Sequence, residues 1–306
     1  MLMLNLNVNN ETAKLKVVYA GTADNFGSTP NIEDCYDPKS LYHVKNGSFP
    51  NQVDIKNENK NLLNIFKKYN ITVFQPTNIF NVNQIFVRDI AFVIGNLLIV
   101  SNIIKNREKE MLALKDLYSK INDKHIVFSP PNVRVEGGDV LLNNEYIFIG
   151  YSEDVDFEKY IVSRTNKNAI SFIQNSFPNK NVIGFELNKS DTDARKNALH
   201  LDCCFQPIGN NKAIIYKKGF KNKRDVNFLI NYFGKENIIE IDTEEMYNMN
   251  SNVFSISEKI IVSDKSFVRL NSILKDFGFI VEEITYSETA KMEGLFRCST
   301  MPLIRE

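Results

Sequence analysis

The sequence predicts an α/β fold in which a β-β-α-β unit is repeated around one shared core. The first observation is a set of four segments that alternate strand, tight turn and strand, with Gly-Asn or Asn-Asn at several of the turns. Such turn residues adopt the positive φ that hairpins demand, and the flanks are β-branched or aromatic. The hairpins are predicted at Phe92–Val100, Val140–Ile149, Cys204–Tyr216 and Val253–Val262.

The second observation is a helix-period segment after each hairpin, which is followed in most cases by a short apolar strand. The predicted helices are Asn106–Ile121, Phe157–Phe177, Arg224–Phe233 and Ser266–Phe277, and the strands after them are His125–Phe128, Val182–Leu187, Ile238–Ile241 and Phe279–Ile284. A strand at Leu15–Ala20 and a helix at Lys56–Tyr69 form a degenerate fifth copy. A repeat of this period indicates radial or stacked units. Because no Pro/Gly/Ser-rich linker divides the chain, residues 1–306 are predicted to form a single domain.

The composition excludes several classes of function. The 306 residues are 43% hydrophobic and carry 37 basic and 37 acidic side chains, so no net charge favours nucleic acid or a membrane surface. No apolar run approaches the ~20 residues of a membrane span, and Met1–Asn10 lacks the pattern of a signal peptide. The four cysteines show no C-x-x-C spacing, which favours free thiols in the cytosol and argues against a zinc site.

Polar clusters precede the hairpins at equivalent places in the repeat. They are Arg88-Asp89, Glu136-Gly137-Gly138-Asp139, His200-Leu201-Asp202 and Asn248–Asn252. If the units surround an axis, these clusters meet at one place. Cys298, at the start of the predicted closing strand, would reach the same centre.

Cys298 is the candidate nucleophile of this centre. The neighbouring Arg297 is a cation of the kind that lowers a thiol pKa, although a buried packing cysteine on a last strand fits the same segment. His200 and Asp202 are predicted on one face of a strand, and the alternative for His200 is a satisfied core histidine. Cys204 lies ~13 Å along that strand from His200, so Cys203 and Cys204 are predicted to be packing residues.

The two remaining acids have a structural and a functional interpretation. Glu136 stands before two glycines, which indicate either a bulged turn or a close approach that brings Glu136 to an imidazole. Asp89 is either part of a surface Arg-Asp pair or one of two carboxylates that face a planar cation.

Together these motifs resemble the guanidino-group-modifying enzymes, the pentein superfamily of arginine deiminases, dimethylarginine hydrolases and glycine amidinotransferases. The matching segments are Asn83–Asp89, Glu136–Leu141, His200–Asp202 and Arg297–Leu303, in that order. The resemblance covers most of the chain. It implies a five-bladed α/β propeller of β-β-α-β units.

The resemblance also implies a role for each residue. Cys298 would attack the guanidino carbon and form a covalent thiouronium-type intermediate. His200 would protonate the departing amine and then activate water, and Glu136 would orient and charge His200. Asp89 and Asp202 would clamp the guanidinium. The remaining predicted substrate-binding residues are Asn83 at the amino-acid end, Arg164 at the carboxylate, and Arg297. For Arg164 the alternative is a solvated helix arginine, and no metal or organic cofactor is implied.

Within the superfamily the motifs are most similar to those of arginine deiminases, which convert arginine and water to citrulline and ammonia. Dimethylarginine hydrolases usually carry a lysine where Asp202 stands, which disfavours that substrate. The chain is shorter than typical deiminases, so Thr22–Tyr42 is predicted to form a different lid.

Three alternatives stay open from the sequence. One is an amidinotransferase, in which an amine replaces water, and another is an arginine dihydrolase or citrulline hydrolase that gives ornithine. The third is a catalytically inactive binding module. The expected partner is a small guanidino compound, and the sequence leaves open whether the chain forms a homo-oligomer.

Overall fold

The computed structural model describes residues 3–306, so the first two residues of the segment Met1–Asn10 lie outside the described part. The described residues form fifteen strands in five three-stranded sheets. The strands are β1 Leu15–Ala20, β2 Thr72–Phe74, β3 Ala91–Ile94, β4 Leu97–Val100, β5 Ile126–Phe128, β6 Val140–Asn143, β7 Tyr146–Tyr151, β8 Asn181–Glu186, β9 Phe205–Ile208, β10 Lys212–Ile215, β11 Ile238–Glu240, β12 Phe254–Ser257, β13 Ile260–Asp264, β14 Ile280–Ile284 and β15 Thr300–Arg305.

Four of the sheets repeat one topology, an antiparallel hairpin whose second strand also pairs in parallel with a third strand. Their strand orders are β3-β4-β5, β6-β7-β8, β9-β10-β11 and β12-β13-β14. The hairpin turns use residues with positive φ, such as Gly95, Asn144 and Asn210. The predicted α/β fold with its β-β-α-β repeat is therefore confirmed.

The fifth sheet joins the two ends of the chain. β1 pairs in parallel with β2 and in antiparallel register with β15, from Leu15 opposite Arg305 to Ala20 opposite Thr300. The C-terminal strand thus supplies the outer strand that a hairpin supplies in the other four sheets. Completion of this sheet consequently depends on β15.

Most helices lie before the third, parallel strand of a sheet, whereas two short ones, Val87–Ile90 and Thr243–Tyr247, precede a hairpin. They are α1 Pro38–Lys45, α2 Gln52–Lys68, α3 Val87–Ile90, α4 Lys115–Tyr118, α5 Asp154–Lys159, α6 Asn168–Ser176, α7 Lys223–Phe233, α8 Thr243–Tyr247 and α9 Val268–Asp276. α2 begins earlier than the predicted Lys56, because the Asn51 side chain accepts bonds from the backbone N–H groups of Val53 and Asp54.

Two predicted helices are wrong in part. The segment predicted as Phe157–Phe177 divides into α5 and α6, because the intervening backbone pairs with a strand end: Ser152 N donates to Thr165 O at 2.9 Å. The segment predicted as Asn106–Ile121 is a 3₁₀ helix over Lys105–Leu114 followed by α4.

The expected strand at His200 and Asp202 is also wrong. Leu201–Cys203 forms a 3₁₀ turn, which Asp139 holds by accepting a bond from Leu201 N at 2.9 Å. Cys298 likewise precedes β15 instead of beginning it.

The apolar core of the fold includes the two cysteines predicted to pack. Cys203 is 2% exposed and Cys204 is completely buried, and β15 contributes the completely buried Met301 and Leu303. In the described part of the chain no helix has the length and apolarity needed to cross a bilayer.

Because β15 completes the sheet that it forms with β1 and β2, shortening a buried side chain in β15 should destabilise the whole chain. We expect Leu303→Ala to lower the free energy of unfolding by ~2–5 kcal/mol, the usual cost of a core cavity. Urea denaturation would measure this change. Leu112→Ala is the matched control, since Leu112 is 55% exposed. Equal stability of the two variants would contradict the closure role of β15.

Candidate active site

Glu136 precedes the hairpin β6–β7 and His200 precedes the hairpin β9–β10, and their side chains form a buried pair. The Nε2 atom of His200 lies 2.9 Å from Glu136 Oε2, and both side chains are at most 1% exposed. Gly138 permits this contact, because a Cβ there would lie 2.6 Å from His200 Nδ1. Neither glycine of the turn has positive φ, so close approach is the reason for glycine at these positions.

Two arginines surround Glu136. The Nη1 atom of Arg107 lies 3.0 Å from Glu136 Oε2, and Nη1 of Arg164 lies 3.3 Å from the same oxygen. Burial opposes the charge on Glu136, but Arg164 and Arg107 hold its pKa well below the usual range. Burial also opposes the charge on His200, yet Asp89 and the bond to Glu136 raise its pKa. The pair is therefore an ionised carboxylate beside an imidazole that favours its protonated form.

Asp89 lies on the other side of His200. Its Oδ1 atom is 3.9 Å from His200 Nδ1, and its Oδ2 accepts a bond from Arg107 Nη1 at 3.0 Å. Oδ1 is buried and has no hydrogen-bond partner among the described residues. A buried carboxylate oxygen of this kind calls for a donor, because an unpaired buried acceptor carries the full cost of desolvation. Asp89 is thus a buried carboxyl group beside Arg107 and His200 and not part of a surface pair.

Arg297 and Asp202 form a second buried ion pair. Arg297 Nη1 donates to Asp202 Oδ2 at 2.9 Å, and its Nη2 donates to Glu11 Oε1 at 3.0 Å. The carbonyls of Gly137 and Val140 accept the remaining bonds. Arg297 is completely buried and donates to these groups, so in this structure it positions Asp202, and its predicted contact with substrate stays a prediction.

Cys298 lies beside Asp202 and the fourth polar cluster. Its thiol is 3.8 Å from Asp202 Oδ2, and Asn252 Nδ2 donates to its sulfur at 3.3 Å. The side-chain oxygen of Asn252 accepts a bond from Cys298 N at 3.3 Å. Burial, Asp202 and Asp89 raise the pKa of the Cys298 thiol well above its usual range. The expectation that Arg297 would leave a thiolate is therefore wrong, because the anions next to the sulfur outweigh that cation.

A cavity of about 130 Å³ opens next to this group. Asp89, Asn83, Arg107 and Arg164 line it, and the segment Thr22–Tyr42 supplies much of the rest of its wall, including Phe26, Tyr36 and Asp37. Arg164 is 1% exposed in the loop between α5 and α6, which rules out the solvated helix arginine. Asn83 lies at the cavity wall, where its Oδ1 accepts a bond from Ile85 N at 3.0 Å.

The buried anions could also attract a metal ion. Ligand atoms of Asp89, Glu136 and His200 lie within 4.8 Å of one another, a spacing compatible with a bound cation. The guanidinium of Arg107 already provides a positive charge there, since its Nη1 is 3.0 Å from both carboxylates. The residues therefore fit a planar organic cation at least as well as a metal.

Three residues of the site were not predicted from the sequence: Arg107, Asn252 and Glu11. Arg107 stands in a run of charged residues that has the composition of a solvated helix, yet it is 3% exposed. Asn252 belongs to a cluster that was predicted to converge, but its bond to a thiol needs the tertiary structure. Glu11 lies 286 residues from its partner Arg297, and no local pattern connects them.

The fold and the converging charged groups define the class as a guanidino-group-modifying enzyme of the pentein superfamily. Residues 50–305 match the family described as N,N dimethylarginine dimethylhydrolase, eukaryotic. The chain therefore belongs to that family, although the aspartate at position 202 had disfavoured this branch.

Several characterised and uncharacterised proteins are similar to the chain. YkgA of Bacillus subtilis (strain 168), an uncharacterized protein, is 30% identical over 223 residues, which cover 72% of this chain and 70% of YkgA. Arginine deiminase of Staphylococcus haemolyticus (strain JCSC1435) is 30% identical over 212 residues, 58% of this chain and 49% of the deiminase. The chain thus spans about half the length of that relative.

Solved structures share the fold at low sequence identity. SxtG, an amidinotransferase of Microseira wollei, has a TM-score of 0.78 at 17% identity and covers 99% of this chain and 98% of its own. The N-terminal domain of ArgZ, an arginine dihydrolase of cyanobacteria, has a TM-score of 0.78 at 18% identity, with 94% and 98% covered. These similarities support the pentein fold.

The Glu11–Arg297 pair should make stability depend on acid pH. Burial opposes its charge, but Arg297 lowers the pKa of Glu11 from 4.5 to about 2. A depressed carboxyl pKa contributes stability that is complete above the unfolded value and is lost as pH falls from about 4.5 to about 2. We expect Glu11→Gln to cost ~3–5 kcal/mol at neutral pH, because it leaves a buried cation with one partner fewer.

Urea denaturation across this pH range would test the expectation. The cost of Glu11→Gln should shrink as the wild-type carboxyl becomes protonated. Glu306→Gln, which removes a partner of the exposed Lys16 pair, is the matched control. A cost for Glu11→Gln that does not change with pH would contradict the ion-pair interpretation.

Proposed function

We propose that the chain is a cysteine-dependent hydrolase of the guanidino carbon of arginine or a close analogue, giving citrulline and ammonia. The observation that carries this proposal is the thiol of Cys298 beside Asp202, next to Asp89 and the Glu136–His200 pair, all of them buried around one point. These groups suit a substrate that is cationic, planar and electrophilic at its central carbon.

Binding of the guanidinium is assigned to the two aspartates. Among residues 3–306, Asp89 Oδ1 has no donor, and Asp202 Oδ1 accepts only the weak donor of the Cys203 thiol, at 3.7 Å. Two carboxylates can hold a planar guanidinium through parallel N–H bonds. Because Cys298, His200 and Asp202 are almost completely buried, side chains at the inner end of the cavity have to move for the guanidino group to reach Cys298.

The bound cation also explains how a thiol with a raised pKa becomes a nucleophile. A positive charge between Asp89 and Asp202 neutralises two of the groups that disfavour the thiolate. The thiol releases its proton to solvent as the cation binds, and the sulfur then attacks the guanidino carbon. The C–N bond to the terminal nitrogen breaks as the protonated His200 donates its proton to that nitrogen, which leaves as ammonia. Water, deprotonated by His200, cleaves the C–S bond and releases citrulline.

The amino-acid end of the substrate is assigned to the outer part of the cavity. Arg164 and Arg107 lie there with the ring of Tyr36 over both guanidinium groups, at 5.6 and 5.9 Å. Arg164 Nη2 donates to Tyr36 O at 2.9 Å, which connects this arginine to the proposed lid. Arg107 already donates to Glu110 through Nε and Nη2, so Arg164 is the guanidinium assigned to the substrate carboxylate, which would replace Tyr36 O as its acceptor.

A second candidate substrate is a methylated arginine, which the family match favours. The same steps would then release a methylated amine instead of ammonia. Transfer of the amidino group to an amine, or a second hydrolysis to ornithine, would use the same nucleophile and differ in the molecule that enters after the first product leaves.

The cellular setting is also part of the proposal. All four cysteines are free thiols, which supports the expectation of a reducing, cytosolic location. A homo-oligomer stays a prediction from the sequence.

Product analysis distinguishes these reactions. Purified protein would be incubated with arginine, methylated arginines, agmatine and citrulline, each with and without glycine. We expect ammonia and citrulline from arginine without an amine acceptor. Ornithine as the product would favour a dihydrolase, product formation only with glycine a transferase, and a methylated amine the dimethylarginine reaction.

Cys298→Ser should abolish turnover and leave the fold intact, because a serine hydroxyl is a far weaker nucleophile at this carbon. Citrulline release and thermal unfolding would be measured side by side. Cys204→Ser is the matched control, since Cys204 is a buried packing thiol. Full activity of Cys298→Ser would refute the mechanism, and failure of a haloacetamidine to label Cys298 selectively would support an inactive binding module.

Glu136→Gln should move the pH profile in a defined direction. The reaction needs protonated His200, so activity is lost as pH rises through the pKa of His200. Glu136 raises that pKa, and its removal should therefore shift the basic limb of kcat/KM to lower pH. We also expect a loss of ~10²–10⁴-fold in rate as the proton transfer fails. Glu158→Gln, at an exposed position, is the control, and an unshifted basic limb would exclude the role of Glu136.

A further inference from the structure

The fourth polar cluster, Asn248–Asn252, contributes one side chain that contacts the sulfur of Cys298 and has no part in the reaction steps proposed above. Asn252 Nδ2 lies 3.3 Å from Cys298 Sγ. Asn252 is completely buried and Cys298 is 2% exposed, so bulk water is excluded from this contact. In the part of the chain that the structure describes, Asn252 supplies the only hydrogen-bond donor to that sulfur.

The orientation of the Asn252 amide is determined by two backbone groups. Its Oδ1 accepts bonds from Arg297 N at 2.9 Å and from Cys298 N at 3.3 Å. Both of these groups only donate, so the atom that faces them has to be the amide oxygen. A rotated amide would set its own N–H groups against them. The amide nitrogen therefore faces Cys298 Sγ because of the hydrogen bonds on the other side of the same amide.

The same amide holds Cys298 at two atoms. Because it binds both the backbone nitrogen and the sulfur of one residue, it restricts rotation about the Cα–Cβ bond of Cys298. The thiol itself donates toward Asp202 Oδ2, at 3.8 Å. The sulfur thus directs its proton toward Asp202 and accepts a bond from Asn252.

The loop that carries Asn252 is itself constrained. Ser251 Oγ donates to Asp202 O at 2.9 Å, and Asn252 N donates to Met249 O at 2.9 Å. Met249 has φ of 69°, a left-handed conformation that is unfavourable for a long side chain. Such a conformation persists only where the surrounding structure determines it, and it occurs preferentially at functional sites. The loop therefore keeps Asn252 beside the sulfur in spite of the strain at Met249.

A neutral donor suits a thiol that lies beside carboxyl groups. Burial, Asp202 and Asp89 raise the pKa of the Cys298 thiol. A hydrogen bond from an amide opposes this effect, because an ionised acceptor forms a bond about twice as strong as a neutral one. A lysine or arginine at position 252 would pair with Asp202 and compete with a cationic substrate. The amide stabilises the sulfur without occupying that carboxyl group.

We propose that Asn252 is a catalytic residue whose Nδ2–H stabilises the thiolate of Cys298, both before the sulfur attacks and when it leaves. The inference rests on the proposed function, in which Cys298 is the nucleophile, and adds a residue to it. The bond from Asn252 raises the thiolate fraction before attack. When water cleaves the C–S bond, the electron pair of that bond returns to the sulfur, and the same N–H stabilises the developing charge.

The test measures the ionisation of the Cys298 thiol separately from turnover. Iodoacetamide would alkylate the protein over a series of pH values, and mass spectrometry of the Cys298 peptide would give the rate at that residue. The variants are Asn252→Asp, which retains the acceptor for the two backbone N–H groups, and Asn252→Ala, which adds no charge. Asn250→Asp is the matched control, because Asn250 is 3% exposed in the same loop and does not bond to Cys298.

We expect both Asn252 variants to shift the alkylation profile of Cys298 to higher pH. The rate near neutral pH should fall ~10- to 100-fold, the usual effect of losing a hydrogen bond to a charged group. The kcat for citrulline release should fall by a similar factor. KM should change less, since Asn252 bonds to the nucleophile and not to the carboxyl groups assigned to the guanidinium. Asn250→Asp should leave the profile unchanged.

The unsubstituted protein provides a second measurement in case a variant fails to fold. The NMR resonance of the Asn252 side-chain amide should move as the Cys298 thiol ionises, and no such titration should occur in the Cys298→Ser protein. The side-chain amide of Asn271, which donates to Asp264 O, is the control within the same spectrum.

An unchanged alkylation profile in folded Asn252→Ala would overturn the inference and leave the proposed function standing, because a shift confined to Asn252→Asp reports only the added charge. An Asn252 amide resonance that does not respond to ionisation of the thiol would overturn it as well. The expected shifts in a protein that turns over none of the guanidino compounds would support the contact with the thiolate and overturn the proposed function instead.

Discussion

The buried guanidinium of Arg297 is the constraint on which the rest of the site depends. A buried cation needs anions and acceptors at good geometry, because its desolvation otherwise outweighs what it gains. The groups that bind Arg297 lie on three separate segments. They are Glu11, Asp202 before the hairpin β9–β10, and the carbonyls of Gly137 and Val140 at the start of the hairpin β6–β7. Since Arg297 directly precedes Cys298, the pairing that joins these segments also places the thiol beside Asp202.

The balance of charge around this centre determines which group is reactive. Arg107 and Arg164 hold Glu136 as an anion, and Glu136 and Asp89 favour a protonated His200. Burial and the neighbouring carboxyl groups of Asp202 and Asp89 raise the pKa of Cys298 and keep it as a thiol. A guanidinium bound between Asp89 and Asp202 would reverse only the last of these effects. The arrangement would therefore generate the nucleophile when the cationic substrate is present and protect it otherwise.

The sequence predicts the repeat well, since hairpin turns and apolar periodicity are local properties. It places His200 and Asp202 on a strand wrongly, because a two-residue spacing does not distinguish a strand from a 3₁₀ turn. The four polar clusters could be predicted to converge from their equivalent places in the repeat. The partner of Arg297 and the burial of Arg107 could not, because both depend on contacts between segments that share no local pattern. The repeat thus fixes where the site lies, whereas long-range pairing fixes its charges.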